Sequence, residues 1–406
     1  MHMINVQTLK GFRDFLPKDA KKREYVINTL KKVFESYGFE PLETPSLEYE
    51  EILAGKYGEE GDKLMYKFED NGKRKVALRY DQTVPLARVV TQYQNDLPMP
   101  FKRHQIQNVW RAENTQKGRY REFIQCDIDT VGISSPLADA EIISVVDASL
   151  KALGFKKYSI GINTRELLFR KIKEAGIEDK LLMRVITIID KVDKIGWPEM
   201  DKALLNLGIS QEKVQSLNTS LSVTQLIEQE PYLKSLFEIC NKMGITSVKS
   251  KLYLARGLDY YTGLIMEVNI EEYKGGSIAG GGRYDNLIGI FAGKQIPAVG
   301  IAFGFDRVME AMEELNLFPA GLTVTKVLVT NANEKKAIEI VNELRKNDIN
   351  TELYLDEKDL EKQLKYADKK DIPFSIIFDG EKLILKDMIR RTQENLTLEE
   401  IIKKIK

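Results

Sequence analysis

The sequence predicts an α+β domain built on an antiparallel sheet flanked by helices, carrying a helical insertion and followed by a small α/β domain. Three patterns predict it. Between about 64 and 133, short runs alternate apolar and polar residues and are separated by turn residues such as Asp70-Asn71-Gly72, as strands with one buried face do. Between about 165 and 250 that alternation gives way to Leu-, Ile- and Lys-rich helical periods broken by Gly176, Gly196-Trp197-Pro198 and Gly208. After "NLFPAGLTVT" (316–325) strands and helices alternate, which implies a mainly parallel sheet. We place the first domain at 1–320, with its insertion at about 165–250, and the second at 326–406.

The elements follow in order. Residues 21–37 put Val26, Leu30, Val33, Phe34 and Tyr37 on one helical face, and Gly38 supplies the stop. "FEPLETPSLEYEE" carries Pro41 and Pro45 and reads as an extended edge or interface segment. Helical periodicity returns at 136–153, strands at about 252–270, and a strand-to-helix unit at 298–316. Beyond 326 come strand "KVLVT", helix 333–346, strand "NTELYL", helix 358–369, strand "FSIIF", a turn at Asp379-Gly380, strand "KLILK" and a closing helix 397–405. The stretch after "LKDM" leaves the last strand of this domain unassigned.

Composition excludes several chemistries. The chain has 406 residues, 61 Lys+Arg against 61 Asp+Glu, two histidines (His2, His104) and two cysteines (Cys126, Cys240). Two distant cysteines give neither a disulfide framework nor a CxxC metal pair, which fits a reducing, cytoplasmic setting. No apolar run approaches the length of a membrane span and none follows a basic leader, so we expect no membrane partner. With one internal histidine, HExxH zinc chemistry is impossible. There is no GxSxG elbow, no GxxxxGK[ST] loop and no GxGxxG after a strand. Chemistry here must rest on arginines, carboxylates and backbone groups, and we assign no metal site to the protein.

Polar side chains nevertheless gather on strand faces. "YREFIQCDIDTV" alternates Phe123, Gln125, Asp127 and Asp129 against Ile124, Cys126, Ile128 and Thr130. One face is core; by default the other is a solvated outer face. The adjoining "QNVWRAE" aligns Val109, Arg111 and Glu113, and "VALRYDQTV" aligns Arg79, Asp81 and Thr83 as a strand. Over 101–125 there are six Lys+Arg and two Glu, a local excess of four positive charges. "AGGGRYD" (279–285) lacks a following Lys-Ser/Thr, and close packing of backbone against a sheet explains it as well as a phosphate loop does. Arg307 falls in the first turn of a helix, where the dipole disfavours a cation. It either awaits an anion or pairs on the surface with Asp306 or Glu310.

Taken together the motifs resemble those of the class II aminoacyl-tRNA synthetases. "RAENTQKGRYREF" resembles their second signature motif, "VGIAFGFDRV" the third, and the helix 21–37 with "PLETPSLE" the first, which forms the dimer interface. "GFRDFLP", "LRYDQTVPLAR" and "ARGLDYYTG" resemble the histidyl-tRNA synthetase family. The resemblance runs through almost the whole chain, with 326–406 similar to that family's anticodon-binding domain. It implies ATP-dependent ligation of L-histidine to its cognate tRNA through a histidyl-adenylate, a homodimer, and ATP accompanied by Mg2+. Its rival is a non-catalytic paralogue that regulates ATP phosphoribosyltransferase in histidine biosynthesis. Such paralogues lose the C-terminal domain and part of the arginine set, both of which this sequence keeps.

Carried over residue by residue, Arg111 and Arg256 hold the α-phosphate and the histidine carboxylate, Arg307 the γ-phosphate, and Phe123 stacks on adenine. Glu113 accepts from the adenine amino group. Asp81, Thr83 and Gln125 bind the α-ammonium group, while Asp129 and Tyr261, with Tyr260 adjacent, read the imidazole. Arg119 and Arg121 serve the β- and γ-phosphates or the acceptor stem, and Gln116 reads the acceptor-end base pair. Two departures stand out. Asp81 and Asp129 occupy positions where many members carry glutamate, so the pocket must close in or use water. His104 replaces a usual tyrosine, as a packing or hydrogen-bonding substitute. The charge balance recurs within 321–406, with 17 Lys+Arg and 17 Asp+Glu, so positive charge toward a tRNA is arranged locally and not as a broad field.

Overall fold

The computed structural model describes residues 6–116, 118–222, 230–255, 261–356, 359–380 and 382–406. His2, Arg256, Tyr260 and the expected helix start at Lys358 lie outside the described residues. The chain divides into two compact units, 1–14 with 26–317, and 15–25 with 318–406. The first contains strands β1 (Glu40–Pro41), β2 (Leu47–Tyr49), β3 (Lys67–Glu69), β4 (Lys75–Leu78), β5 (Phe101–Trp110), β6 (Glu122–Val131), β7 (Tyr158–Thr164), β8 (Val248–Ser250), β9 (Leu264–Ile270), β10 (Ala279–Arg283) and β11 (Ala298–Gly304).

Eight of these form one sheet in the order β1-β5-β6-β11-β10-β9-β7-β8, and β2-β4-β3 form a second. The large sheet is antiparallel except at its edges, where β1 runs parallel to β5 and β8 parallel to β7. The predicted antiparallel architecture is the observed one. The first helix spans Pro17–Ser36 and buries Val26, Leu30 and Phe34, the i, i+4, i+8 stripe its sequence dictates. It stops where Gly38 turns to φ +75° and Gly38 and Phe39 donate back to the carbonyls of Glu35 and Phe34. Helix Pro136–Ala152 starts on a Ser135 cap and buries Ile142, Ile143, Val145 and Val146. The insertion consists of helices Arg165–Glu174, Leu182–Ile189, Val192–Ile195, Trp197–Asn206, Gln211–Ser222 and Pro231–Lys242. Among the described residues no helix is long and apolar enough to cross a membrane.

One local expectation fails, and one open reading is decided. Arg79, Asp81 and Thr83 do not continue a strand: β4 ends at Leu78 and, after the bend at 79–82, helix Thr83–Gln92 begins. The cause is local. Asp81 Oδ1 accepts from the Val84 amide at 3.2 Å, which satisfies a donor at the helix start, and Pro85 sits in the first turn, where its missing N–H costs nothing. The open reading concerns "AGGGR": of a phosphate loop and backbone packed against a sheet, the structure shows the second, as the inner strand β10. At Gly281 a Cβ would run into the backbone of Gly300, so the sheet closes only because no side chain is there.

The second unit holds β12 (Val327–Val329), β13 (Thr351–Leu353), β14 (Phe374–Asp379), β15 (Lys382–Asp387) and β16 (Thr392–Leu396). Their order is β13-β12-β14-β15-β16. The expected mainly parallel sheet is in fact mixed: β12 runs parallel to β13 and β14, while β15 and β16 add antiparallel pairs. Gly380 at φ +60° and Arg391 at φ +57° mark the two turns that fold these strands back. Its core gathers Val327, Val329, Ile340, Val341, Leu344, Ile376, Leu385 and Ile401. The last helix, Leu398–Ile405, is held by a capping box between Thr397 and Glu400.

Candidate active site

The site occupies one face of the eight-stranded sheet. β5 and β6 pair along their whole length, from Phe101 opposite Val131 to Trp110 opposite Glu122. Cross-strand partners share a face, so Arg103 stands beside Asp129, Gln105 beside Asp127, and Gln107 beside Gln125. β11 continues these rows with Gly300, Ala302 and Gly304, and β10 continues the first two with Gly282 and Gly280. The opposite face is packed, with Cys126, Ile128, Ile301 and Phe303 buried.

Small residues make a trench. At Gly300 a Cβ would run into Asp129 Oδ1, and at Gly282 it would meet the Leu264 carbonyl and the Tyr261 ring. The two glycines thus give the Asp129 carboxylate on one side and the Tyr261 ring on the other room to lie against the strands. The polar face of β6 is not a solvated outer surface: Asp127 is 2% and Asp129 3% exposed, and Arg103 is 0% exposed. Arg103 Nη2 lies 2.7 Å from Asp129 Oδ2 and 3.9 Å from Asp127 Oδ2. The Tyr284 hydroxyl donates to Asp129 Oδ1. Asp81, in the turn before helix Thr83–Gln92, accepts from the Tyr57 hydroxyl at 2.8 Å, and Thr83 opens that helix, half-buried.

Several buried polar atoms of this face have no hydrogen-bond partner among the described residues. They are Gln82 Oε1, Gln125 Oε1, Asp127 Oδ1, Asp129 Oδ2, and Nε and Nη2 of Arg103, whose approach to Asp129 is close but out of line. Leaving such groups unmade costs about 1–3 kcal/mol each, so acceptors clustered this way mark a place for a ligand that brings donors. Burial pushes the Asp81, Asp127 and Asp129 carboxyls above the ordinary carboxylate range, Asp127 well above it. The Arg103 guanidinium opposes this at Asp127 and Asp129, and the Tyr57 hydrogen bond opposes it at Asp81.

The basic side of the site begins at the end of β5. Arg111 Cζ stands 4.3 Å from the Tyr80 ring centroid and 5.3 Å from that of Phe123, and its Nε donates to the Tyr80 carbonyl at 3.0 Å. Gln116 and Arg119 exchange backbone hydrogen bonds of 3.2 and 2.9 Å, closing the tip of the loop. Arg119 lies 3.7 Å from Glu113 Oε2, and Arg121 Nε donates to the Glu113 carbonyl at 3.2 Å. The Arg121 amide bonds Gly11, whose φ of +90° and close approach, with any Cβ 2.7 Å from Arg121 Cγ, admit glycine alone. Arg307 Nη1 donates to the Ser277 carbonyl at 2.7 Å, and a Cβ on Gly118 would lie 3.7 Å from Arg307 Cγ, so the loop tip and Arg307 are neighbours. Asp306 is held by Arg13 at 2.8 Å and Glu310 accepts from Tyr273 at 2.7 Å.

The structure therefore gathers Asp81, Gln125, Asp129 and Tyr261 round the trench, and Arg111, Glu113, Gln116, Arg119, Arg121, Phe123 and Arg307 along the basic loop. Sequence reasoning passed over Arg103, Asp127 and Tyr284. Asp127 was visible in the alternation, Arg103 only through its register opposite Asp129. His104 packs: it is buried, its ring lies 5.9 Å from that of Phe34, and neither nitrogen has a hydrogen bond among the described residues.

A profile of the family described as Histidyl-tRNA synthetase matches residues 11–308. The chain belongs to the histidyl-tRNA synthetase family. A profile described as Anticodon binding domain matches 323–406. The histidine–tRNA ligase of Christiangramia forsetii is 40% identical, with 95% of this chain and 96% of that protein covered. That of Cytophaga hutchinsonii is 38% identical over 98% of each. Among solved structures, the histidyl-tRNA synthetase from Nostoc sp. PCC 7120 superposes with a TM-score of 0.88 at 29% identity, covering 99% of both chains. Membership of the histidyl-tRNA synthetase family makes the chain an aminoacyl-tRNA ligase that joins histidine to tRNA, with ATP as a substrate. Among the described residues no cluster of three His, Cys, Asp or Glu side chains is arranged to hold a metal ion.

Proposed function

We propose that the trench binds L-histidine and the basic loop binds ATP, so that histidyl-adenylate forms at their junction beside Arg111. The observation that carries this reading is the pair of buried acceptors Gln125 Oε1 and Asp127 Oδ1, which no described residue serves, beside the Asp129 carboxylate that pairs with Arg103. They suit a small ligand bearing an ammonium group and a ring N–H. Asp81, Thr83 and Gln125 take the ammonium group, and Asp129 with Tyr261 takes the imidazole. A buried carboxylate accepting a ring N–H rejects isosteres without that donor, since its own bond would go unmade.

The substrate carboxylate, ionised at neutral pH, is the nucleophile. It attacks the α-phosphorus of ATP, the bond to the bridging oxygen breaks, and pyrophosphate leaves with the electron pair. No enzyme base is required. Arg111 and Arg256 hold carboxylate and α-phosphate in register and spread the developing charge; the fixed guanidinium fork suits both anions. Phe123 stacks on adenine, Glu113 accepts from its amino group, and Arg307 with Arg119 and Arg121 holds the outer phosphates, which arrive with Mg2+. Gln116 and Arg121 meet the acceptor end of tRNA for histidine, and the second unit meets the anticodon. The enzyme works as a cytoplasmic homodimer joined through helix Pro17–Ser36 and the β1–β2 region, where Leu47 and Tyr49 expose apolar surface.

The decisive measurement is ATP–pyrophosphate exchange with each of the twenty amino acids. Exchange with histidine alone is expected. Exchange with another amino acid would overturn the assignment of the trench, and none at all would point to the regulatory paralogue.

A further inference from the structure

Asp81, Asp127 and Asp129 are all buried, and among the described residues the buried cation lying against Asp127 and Asp129 is Arg103. The three carboxyls are not equally served. Asp81 receives the Tyr57 hydroxyl and the Val84 amide. Asp129 receives the Tyr284 hydroxyl and lies 2.7 Å from Arg103. Asp127 Oδ1 has no partner among the described residues, and Asp127 Oδ2 has only Arg103, 3.9 Å away. Arg103 itself is fixed from one side, its Nη1 donating to Gln105 Oε1 at 3.2 Å, and Gln105 donates on to Gln107 and Thr44 at 2.7 and 2.9 Å. Its guanidinium thus stands close to Asp129 and farther from Asp127.

We propose that Arg103 and Asp127 are a positioning couple for histidine recognition. Arg103 keeps Asp129 ionised and aimed at the imidazole, and Asp127 holds a proton that departs to solvent when the substrate ammonium enters. This rests on the trench being the histidine pocket. The physical reason is that one cation does not stabilise two neighbouring carboxylates in a dry site, so the worse-served one stays neutral until a second cation arrives. The groups facing Asp127 are consistent with this. Asp129 and Asp81 add negative charge, Arg103 and Arg111 oppose it, and burial dominates; Gln105 and Gln125 are neutral neighbours.

The sign of the pH dependence follows. The folded carboxyl titrates above its ordinary value of 3.8. Below that raised value histidine must expel the proton and binds more weakly; above it the proton is already gone and affinity levels off.

The test is calorimetry of L-histidine with the full chain in two buffers of different ionisation enthalpy, together with steady-state KM values for histidine and ATP. Wild type is expected to release more protons per histidine bound than Asp127→Asn, and to gain affinity more steeply as pH rises. Arg103→Met is expected to raise the KM for histidine about tenfold or more with the KM for ATP nearly unchanged, and Arg103→Lys to recover most of the loss. Equal proton release in wild type and Asp127→Asn, or an Arg103→Met effect that falls equally on both KM values, would overturn the proposal. Absence of any histidine binding by wild type would instead fell the reading of the trench itself.

Discussion

The two halves of the candidate active site hold their charges by opposite means. On the trench side, Asp81, Asp127 and Asp129 are buried, poorly solvated and pushed toward their neutral forms. On the loop side, Arg119 keeps 40% of its side-chain surface in solvent and touches Glu113 only at 3.7 Å, while Arg121 is tied mostly to backbone carbonyls. A desolvated carboxylate discriminates sharply, because the wrong ligand leaves it unpaired. A solvated arginine attracts any phosphate and discriminates little, but it costs almost nothing to hold in place. The amino acid must be told from nineteen others. The triphosphate and the tRNA backbone need only be caught and oriented, so the proposed assignment gives each half a task that suits its chemistry.

The widest break in this comparison should come at the hinge between the halves. Arg111→Ala removes the guanidinium lying between the Tyr80 and Phe123 rings, and we expect histidine-dependent exchange to fall on the order of 10²–10³-fold in kcat. A loss confined to the KM for ATP would make Arg111 a binding group only. A smaller effect is expected within the trench. Gly300→Ala places a methyl against Asp129 Oδ1, which should cost about 1–3 kcal/mol in histidine affinity, stability or both. Unchanged histidine binding in a folded variant would mean that the trench floor is not where the imidazole lies. The smallest effect sharpens the contrast between halves. Raising salt from 50 to 200 mM should weaken tRNA binding with a log–log slope of roughly −0.7 to −0.9 per neutralised phosphate, yet leave the histidine dissociation constant nearly unchanged, because buried pairs are little screened. Similar salt slopes for the two ligands would erase the distinction.

Much of the loop side was legible in advance. The run Arg111 to Phe123 is local, its residues are consecutive, and a hairpin brings such residues together whatever the rest of the chain does. The glycine-rich "AGGGRYD" shows the reverse. Its composition admits both a phosphate loop and tight backbone packing, and only the sheet order, which sets Gly281 against Gly300, makes it an inner strand. Arg79, Asp81 and Thr83 alternate as a strand should, yet a side-chain bond from Asp81 to the Val84 amide turns the chain into a helix. Periodicity does not register such a bond. In the second unit, β16 was missed because its exposed residues carry no apolar alternation.

The sequence by itself determined the fold class and the family, because these are recorded in periodicity and in motifs whose residues lie close along the chain. Tertiary structure alone decided which carboxylate stands beside which cation. Arg103 and Asp129 lie on different strands and meet only through the register of β5 and β6. Asp127 stands out because the packing round it removes water while, among the described residues, Oδ1 gains no hydrogen bond and Oδ2 meets Arg103 only at 3.9 Å. Burial and pairing belong to the assembled sheet, and no segment carries them alone.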